Sequence, residues 1–144
     1  MERLTEVARK RAFPTEHRGL SALETFAETP RINRWYFDAL ADGIRGDVLE
    51  VGAGIGNMSA LLAESCSALT VSEMSTSYVS QLERRFDGVR HVRVVQYALG
   101  GSMPPEIRDR EFDAIVSLNV IEHVEDDVGA VRALTDRLRP GGRL

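Results

Sequence analysis

The stretch Asp47-Val-Leu-Glu-Val-Gly-Ala-Gly-Ile-Gly56 decides the fold. Its first five residues form a short apolar-rich strand that runs straight into a loop with glycine at every second position. Beyond the loop the pattern alternates, with a helix over residues 57–66, a strand over 68–72, a helix over 75–86 and a strand over 92–95. A β-α-β-α-β order predicts a doubly wound parallel α/β sheet with helices on both faces. Residues 100–110 hold Gly100-Gly101 and Pro104-Pro105 and read as a loop with an irregular turn. A fourth strand is expected over 112–118 and a helix over 126–138. Pro140-Gly-Gly142 then reads as a break before a fifth strand beginning at Arg143.

Upstream of the strand, residues 20–43 read as two short helices broken near Pro30. Leu23, Phe26 and Ala27 share one face, and after the break Ile32, Trp35, Tyr36, Ala39 and Leu40 recur at three-and-four spacing. That spacing assigns one of Trp35 and Tyr36 to the core. Residues 1–20 carry five basic and three acidic side chains and read as a solvated helix or terminus. On the second helix of the sheet, Arg84 and Arg85 read as a solvated face.

Composition sets the class. The chain has 144 residues, 43% hydrophobic and 28% charged, and a domain of this size buries roughly two-thirds of the surface its unfolded chain exposes. A core without disulfides or metals is therefore expected, and no metal site is read from the sequence. The formal net charge of −4 argues against a primary role in binding nucleic acid or an anionic membrane. Cys66 is the single cysteine, so nothing asks for an oxidising compartment. The apolar runs fall far short of the roughly 20 residues that span a bilayer, and the first 20 residues lack the apolar core of a signal peptide. A cytoplasmic location is the expectation.

Parallel α/β sheets bind ligands beyond the carboxyl ends of their strands, which is where Gly52, Gly54 and Gly56 fall. Glycine there permits positive φ and close approach of a ligand to the backbone. Two cofactor classes use such loops. The dinucleotide fingerprint Gly-x-Gly-x-x-Gly needs glycine or alanine at position 57, and that position is Asn57. Glu50, two residues before the first glycine, suits a ligand with a positive amino group better than a pyrophosphate. Glu73 ends the second strand, 21 residues after Gly52. A carboxylate at that strand end can accept hydrogen bonds from both hydroxyls of a ribose, which serves an adenosine-bearing cofactor of either class.

The stretch Leu49-Glu-Val-Gly-Ala-Gly-Ile-Gly56 resembles the first motif of class I S-adenosylmethionine-dependent methyltransferases. Phe112-Asp-Ala-Ile-Val-Ser-Leu-Asn-Val-Ile-Glu-His123 is similar to the fourth-strand motif of the family's small-molecule members, and Leu138-Arg-Pro-Gly-Gly-Arg143 to the turn before their fifth strand. The likeness covers about residues 46–144. It implies a Rossmann-like fold with strand order 3-2-1-4, incomplete against the family's seven strands, behind an N-terminal helical extension or lid over residues 1–45. It also implies S-adenosyl-L-methionine as cofactor, S-adenosyl-L-homocysteine as product, and a small-molecule methyl acceptor. The cofactor-binding residues so implied are Glu50, Gly52, Ala53, Gly54, Gly56, Asn57, Glu73, Met74, Ala98 and Asn119. Met74 is placed on the adenine face and Asn119 along the methionine portion, while Asn33, Trp35 and Tyr36 fall on a helix that in the family folds over the cofactor. Many members carry an aspartate after the third strand for the adenine amino group. Here Val95-Gln-Tyr-Ala-Leu99 has no acid, and backbone near Ala98 or the Gln96 side chain stands in its place.

Methyl transfer needs an acceptor lone pair in line with the departing sulfur, so positioning supplies much of the acceleration. A general base is needed only for acceptors with a proton to lose. His123 is the candidate, with Glu122 beside it; the competing reading of His123 is a residue that packs or caps the next helix. Two rival functions stand beside this one: a nicotinamide-dependent oxidoreductase, and a non-catalytic cofactor-binding or interaction module. With four strands in the sheet, the fourth would be an exposed apolar edge. That predicts self-association through it, or a chain cut from a longer protein.

Overall fold

The computed structural model describes residues 30–144. The helix expected over residues 20–29, with Leu23, Phe26 and Ala27, and the basic residues before it lie outside them. Pro30 opens helix α1 (Pro30–Leu40), a position where the missing N–H costs nothing, and a 3-10 turn over Ala41–Gly43 follows. Alternating elements succeed it: β1 (Asp47–Val51), α2 (Asn57–Ala63), β2 (Ala68–Glu73), α3 (Thr76–Arg85) and β3 (Val92–Gln96). The second half holds α4 (Pro105–Arg108), β4 (Phe112–Ser117), a 3-10 turn over Ile121–His123, α5 (Asp127–Thr135) and β5 (Leu138–Arg143). Asp126 caps α5 by accepting the Gly129 N–H at 2.9 Å.

All four strand pairings are parallel, in the order β3-β2-β1-β4-β5. The doubly wound parallel α/β expectation is met. Strand alternation divides the core into two layers. Val48, Leu69, Val71, Ala114 and Val116 face α1, α2 and α3, packing with Phe37, Met58, Leu62 and Leu82. Leu49, Val51, Val95, Ile115 and the fully buried Phe112 face the other side, with Ile107 and Leu134. Parity also sets two acids: Glu50 shares the face of Val48, and Glu73 that of Leu69 and Val71. Since Glu50 pairs with Val71 in register, both carboxyls emerge on the α2–α3 side near the strand ends.

Three expectations are corrected. Among the described residues the sheet has five strands, because Leu138–Arg143 pairs with β4 where a break is expected. Phe112 lies opposite Leu138 and Ala114 opposite Arg143, so the intervening residues of β5 form a bulge. Pro140 sits in that bulge, where no ladder N–H is required, and Gly141 takes φ 81°. The fourth strand is consequently not an edge, and the surface expected for self-association is covered by β5. On α1 the core residue is Phe37, while Trp35 is 67% and Ile32 42% exposed. The alternation Ile32, Trp35, Tyr36 marks the outward side of the helix, where Trp35 and Tyr36 stack edge to face with centroids 5.2 Å apart.

At the amino ends of the strands a network of charges fixes the pairing of β1 with β4 and β5. Asp113 accepts the Asp47 N–H at 2.7 Å and Arg139 Nη1 at 2.7 Å. Arg110 Nη2 donates to Asp47 Oδ2 at 2.6 Å. The Asp47 N–H and then the Arg139 guanidinium hold the Asp113 carboxyl below the usual range. A depressed carboxylate contributes stability that is present above its unfolded value, near 3.9, and is lost as pH falls through the folded value. Asp113→Ala is therefore expected to destabilise the fold by about 1 kcal/mol at neutral pH, allowing for the partial exposure of the pair. In urea unfolding the difference from the parent should shrink as the solution is acidified below about pH 4.

Candidate active site at the carboxyl ends of the strands

The glycine loop is held from three sides. Ser72 offers its carbonyl to the N–H groups of Gly52 and Ala53 at 2.9 and 3.0 Å. The Gly54 N–H donates to Glu73 Oε2 at 2.9 Å, while Glu73 Oε1 accepts the Ser75 N–H, also at 2.9 Å. From α3, Arg85 Nη1 donates to the Ile55 carbonyl at 2.8 Å, so Arg85 anchors the loop and is not simply part of a solvated face. Gly52 has φ 77°, and a Cβ there would stand 2.2 Å from Val120 Cγ2. A Cβ at Gly56 would stand 2.6 Å from Leu82 Cδ2. These glycines are thus required by the turn and by packing between the β1 loop, the β4 loop and α3.

A cleft of about 530 Å³ opens beside the loop, lined by Gly52, Gly54, Glu73, Met74, Asn119 and His123 among the expected residues. Tyr36, Tyr78, Tyr97, Leu99, Val120 and Glu122 complete much of its wall. A smaller cavity of about 100 Å³ shares Tyr36, Gly52 and Asn119 with the cleft and adds Glu50, Ala53, Asn57 and Asn33. The two spaces together run from Glu50 to Met74, across the ends of β1, β2, β3 and β4. A further cavity of about 490 Å³ lies beside residues 114–118 and Arg143. It includes neither Glu50 nor Glu73.

Of the residues singled out, Gly56 and Ala98 line neither part of the site. Gly56 is turned against Leu82, and Ala98 is exposed between the lining residues Tyr97 and Leu99. Gln96 is engaged elsewhere, its Nε2 donating to the Met74 carbonyl at 3.2 Å and to Thr76 Oγ1 at 3.0 Å. Trp35 lies outside the lining, whereas Tyr36 borders both spaces. Asn119 adopts φ 56°, a conformation asparagine tolerates better than most side chains. His123 and Glu122 are exposed at the cleft wall in the 3-10 turn after β4. Tyr97 and Tyr78 carried no motif to announce them; they enter the site through strand order and the position of α3.

Electrostatics separates the two acids. Glu50 is buried and accepts Ser59 Oγ at 2.5 Å. Burial pushes its carboxyl up to about 7, against the pull of Ser59 and of Arg85. Glu73, also buried, is bonded to two backbone N–H groups. Its oxygens retain lone pairs, since a carboxylate offers about four acceptor sites. Cys66, by contrast, is pushed up to about 11 by burial and by Asp47, so it stays a thiol and supplies no nucleophile.

A family model described as a methyltransferase domain matches residues 49–144. The chain belongs to the methyltransferase domain family. The resemblance to class I methyltransferases read from the motifs is thereby borne out for family and fold. This methyltransferase domain is 32% identical over 128 residues to methyltransferase GfsG of Streptomyces halstedii, covering 86% of this chain and 45% of that relative. It is 30% identical over 102 residues to a ubiquinone biosynthesis O-methyltransferase of Pseudomonas entomophila, covering 67% of this chain and 41% of the relative. Among solved structures, the DhpI-SAM-HEP complex superposes with a TM-score of 0.60 at 25% identity, over 85% of this chain and 61% of that one. The chain spans less than half the length of these two curated relatives. No described helix of the methyltransferase domain is long and apolar enough to cross a membrane.

Gly52→Ala is expected to destabilise the domain by about 2 kcal/mol or more, through both the contact with Val120 and the positive φ. Adding Val120→Ala should relieve the contact and leave a residual of about 1 kcal/mol from the backbone alone. Urea unfolding of the single and double variants measures the split.

Proposed function

We propose that this chain is the cofactor-binding part of an S-adenosylmethionine-dependent methyltransferase that methylates a small molecule by direct in-line displacement. The observation that carries the reading is the pair of acids. Glu50 and Glu73 lie on one face of the sheet and line two neighbouring cavities that share Gly52 of the glycine loop. This donor set fits an adenosine bearing an amino acid: Glu73 keeps acceptor sites for ribose hydroxyls, and Glu50 answers an ammonium group. The DhpI complex with SAM supports the same cofactor class.

When bound, the cofactor supplies a methyl carbon made electrophilic by a sulfonium. The chain's own residues do the rest. Met74, 68% exposed at the cleft, offers its side chain to the adenine face, with Tyr97 and Leu99 behind it in place of the missing acid. Asn119 lines the methionine portion, and Tyr36 and Asn33 on α1 close the side of the cleft as part of the lid. His123, beside Glu122, takes the proton from an acceptor hydroxyl or nitrogen. The fourth-strand turn Asn119-Val-Ile-Glu-His123, similar to that of small-molecule enzymes, supports an acceptor of that class. Residues 46–144 form the cofactor unit in this reading, working in the cytoplasm.

Calorimetric titration with S-adenosylhomocysteine should show saturable binding, weakened about tenfold or more by Glu73→Ala. His123→Ala should leave that affinity unchanged while slowing methyl transfer to a hydroxyl acceptor by about a hundredfold. Stabilisation of the fold by NADH and not by S-adenosylhomocysteine would return the oxidoreductase reading. Saturable binding without methyl transfer to any of a broad panel of acceptors would favour the non-catalytic module.

A further inference from the structure

Among the described residues, the buried Glu50 has one side-chain donor, the fully buried Ser59 hydroxyl at 2.5 Å. Ser59 lies on α2, one residue beyond Met58, which packs into the core beneath the loop. Each element around Glu50 contributes in a different way. Among the described residues, Arg85 on α3 is the cation acting on it, with its Nη1 donating to the Ile55 carbonyl; Glu73 on β2 is a like charge. The α1 residues bordering the same cavity are Asn33 and Tyr36, and Asn119 borders it from the β4 loop; Asn57 does so from α2. None of these four is a basic side chain. Among the described residues, a carboxylate in that setting has Arg85 as the cation acting on it and no ion pair of its own. Burial pushes it up to about 7; the Ser59 hydroxyl and then Arg85 pull it down, and Glu73 adds to the rise.

We propose that Ser59 is a positioning residue that holds the buried Glu50 carboxyl at the cavity wall, and that a ligand bringing an ammonium group to Glu50 binds with release of a proton from that carboxyl. The inference rests on the reading of Glu50 as the amino-group end of the cofactor site. The balance is simple. The O–H bond of the carboxylic acid breaks, its electron pair stays on oxygen as the carboxylate that faces the ammonium, and the proton passes to water and buffer. Ser59 acts through Glu50 alone: its O–H stabilises the carboxylate and directs it, so its loss favours the acid form.

Titration calorimetry with S-adenosylhomocysteine tests this in pairs of buffers of different ionisation enthalpy, from about pH 5.5 to 8.5. Affinity is expected to rise about tenfold per pH unit below the break near 7 and to level off above it, with about half a proton released at pH 7. Glu50→Gln should flatten the profile and abolish the buffer dependence. Ser59→Ala, which removes one oxygen atom, should move the break upward by about one pH unit and restore much of the lost affinity at the alkaline end. A ligand-free measurement runs beside it, the thermal midpoint of the parent relative to Glu50→Gln. Because the folded group binds its proton more tightly than the unfolded one, that difference should fall from about pH 4.5 to 7 and then level off.

Binding with a flat pH profile and no buffer dependence would overturn the proton release while leaving the cofactor site intact. A ligand-free profile that Ser59→Ala does not shift would overturn the positioning role. If Ser59→Ala fails to fold, the parent and Glu50→Gln titrations still decide the proton release, and Ser59→Cys, with its weaker donor, takes its place for the positioning role. No binding of S-adenosylhomocysteine at any pH would count against the cofactor reading itself, and the ligand-free profiles would then still report on Ser59 and Glu50.

Discussion

Glu73 takes the Gly54 N–H on one carboxylate oxygen and the Ser75 N–H on the other, and this double acceptance ties the β1 loop to the β2 turn. Without a fixed acceptor, a loop rich in glycine samples many backbone states, since glycine loses more freedom on folding than any other residue. The buried carboxylate supplies that acceptor at the point where the two strands end. The loop then lies over Leu82 and under Val120, so α3, the glycine turn and the β4 loop are packed to one another and not merely adjacent. The cleft inherits its shape from this arrangement.

The same arrangement carries an electrostatic cost. Glu50 and Glu73 are both buried on one side of the sheet, and the Glu73 charge adds to the rise of the Glu50 carboxyl. The structure treats them differently: Glu73 is satisfied by two backbone N–H groups, while Glu50 depends on Ser59 and a shared Arg85. One acid is committed to architecture and retains acceptor capacity at its surface. Among the described residues the other is only partly compensated, as a group awaiting a positive partner would be. At the opposite end of the strands, Asp47, Asp113, Arg110 and Arg139 pair among themselves, and that end supports the sheet without facing the cleft.

How far the sequence could be read follows from the range of the signals. The bounds of β1 came directly from Asp47-Val-Leu-Glu-Val51, because a strand abutting a glycine turn has sharp local punctuation. The fifth strand did not: Pro140-Gly-Gly142 looks like a break, and only the partner strand β4 makes a bulged strand of it. Trp35 and Phe37 show the same limit, since three-and-four spacing marks both faces of a helix equally and the side toward the sheet depends on what packs there. At the site, Ser59 goes unremarked in the sequence and Arg85 reads there only as a solvated face. One is an ordinary helical serine and the other an ordinary helical arginine until α2 and α3 are laid against the sheet.

The residue types at the strand ends, the spacing from Gly52 to Glu73 and the fourth-strand motif were determined by the sequence alone, because covalent order and strand alternation are local properties of a chain. The family could be read from them. Which acid is held by backbone and which by a single hydroxyl, that Gly56 and Ala98 stand outside the cleft, and that Tyr78 and Tyr97 belong to it were decided only by tertiary structure. The physical reason is that burial, hydrogen-bond partners and electric fields arise between segments far apart in the chain, and they exist only once parallel pairing has brought the strand ends to one edge.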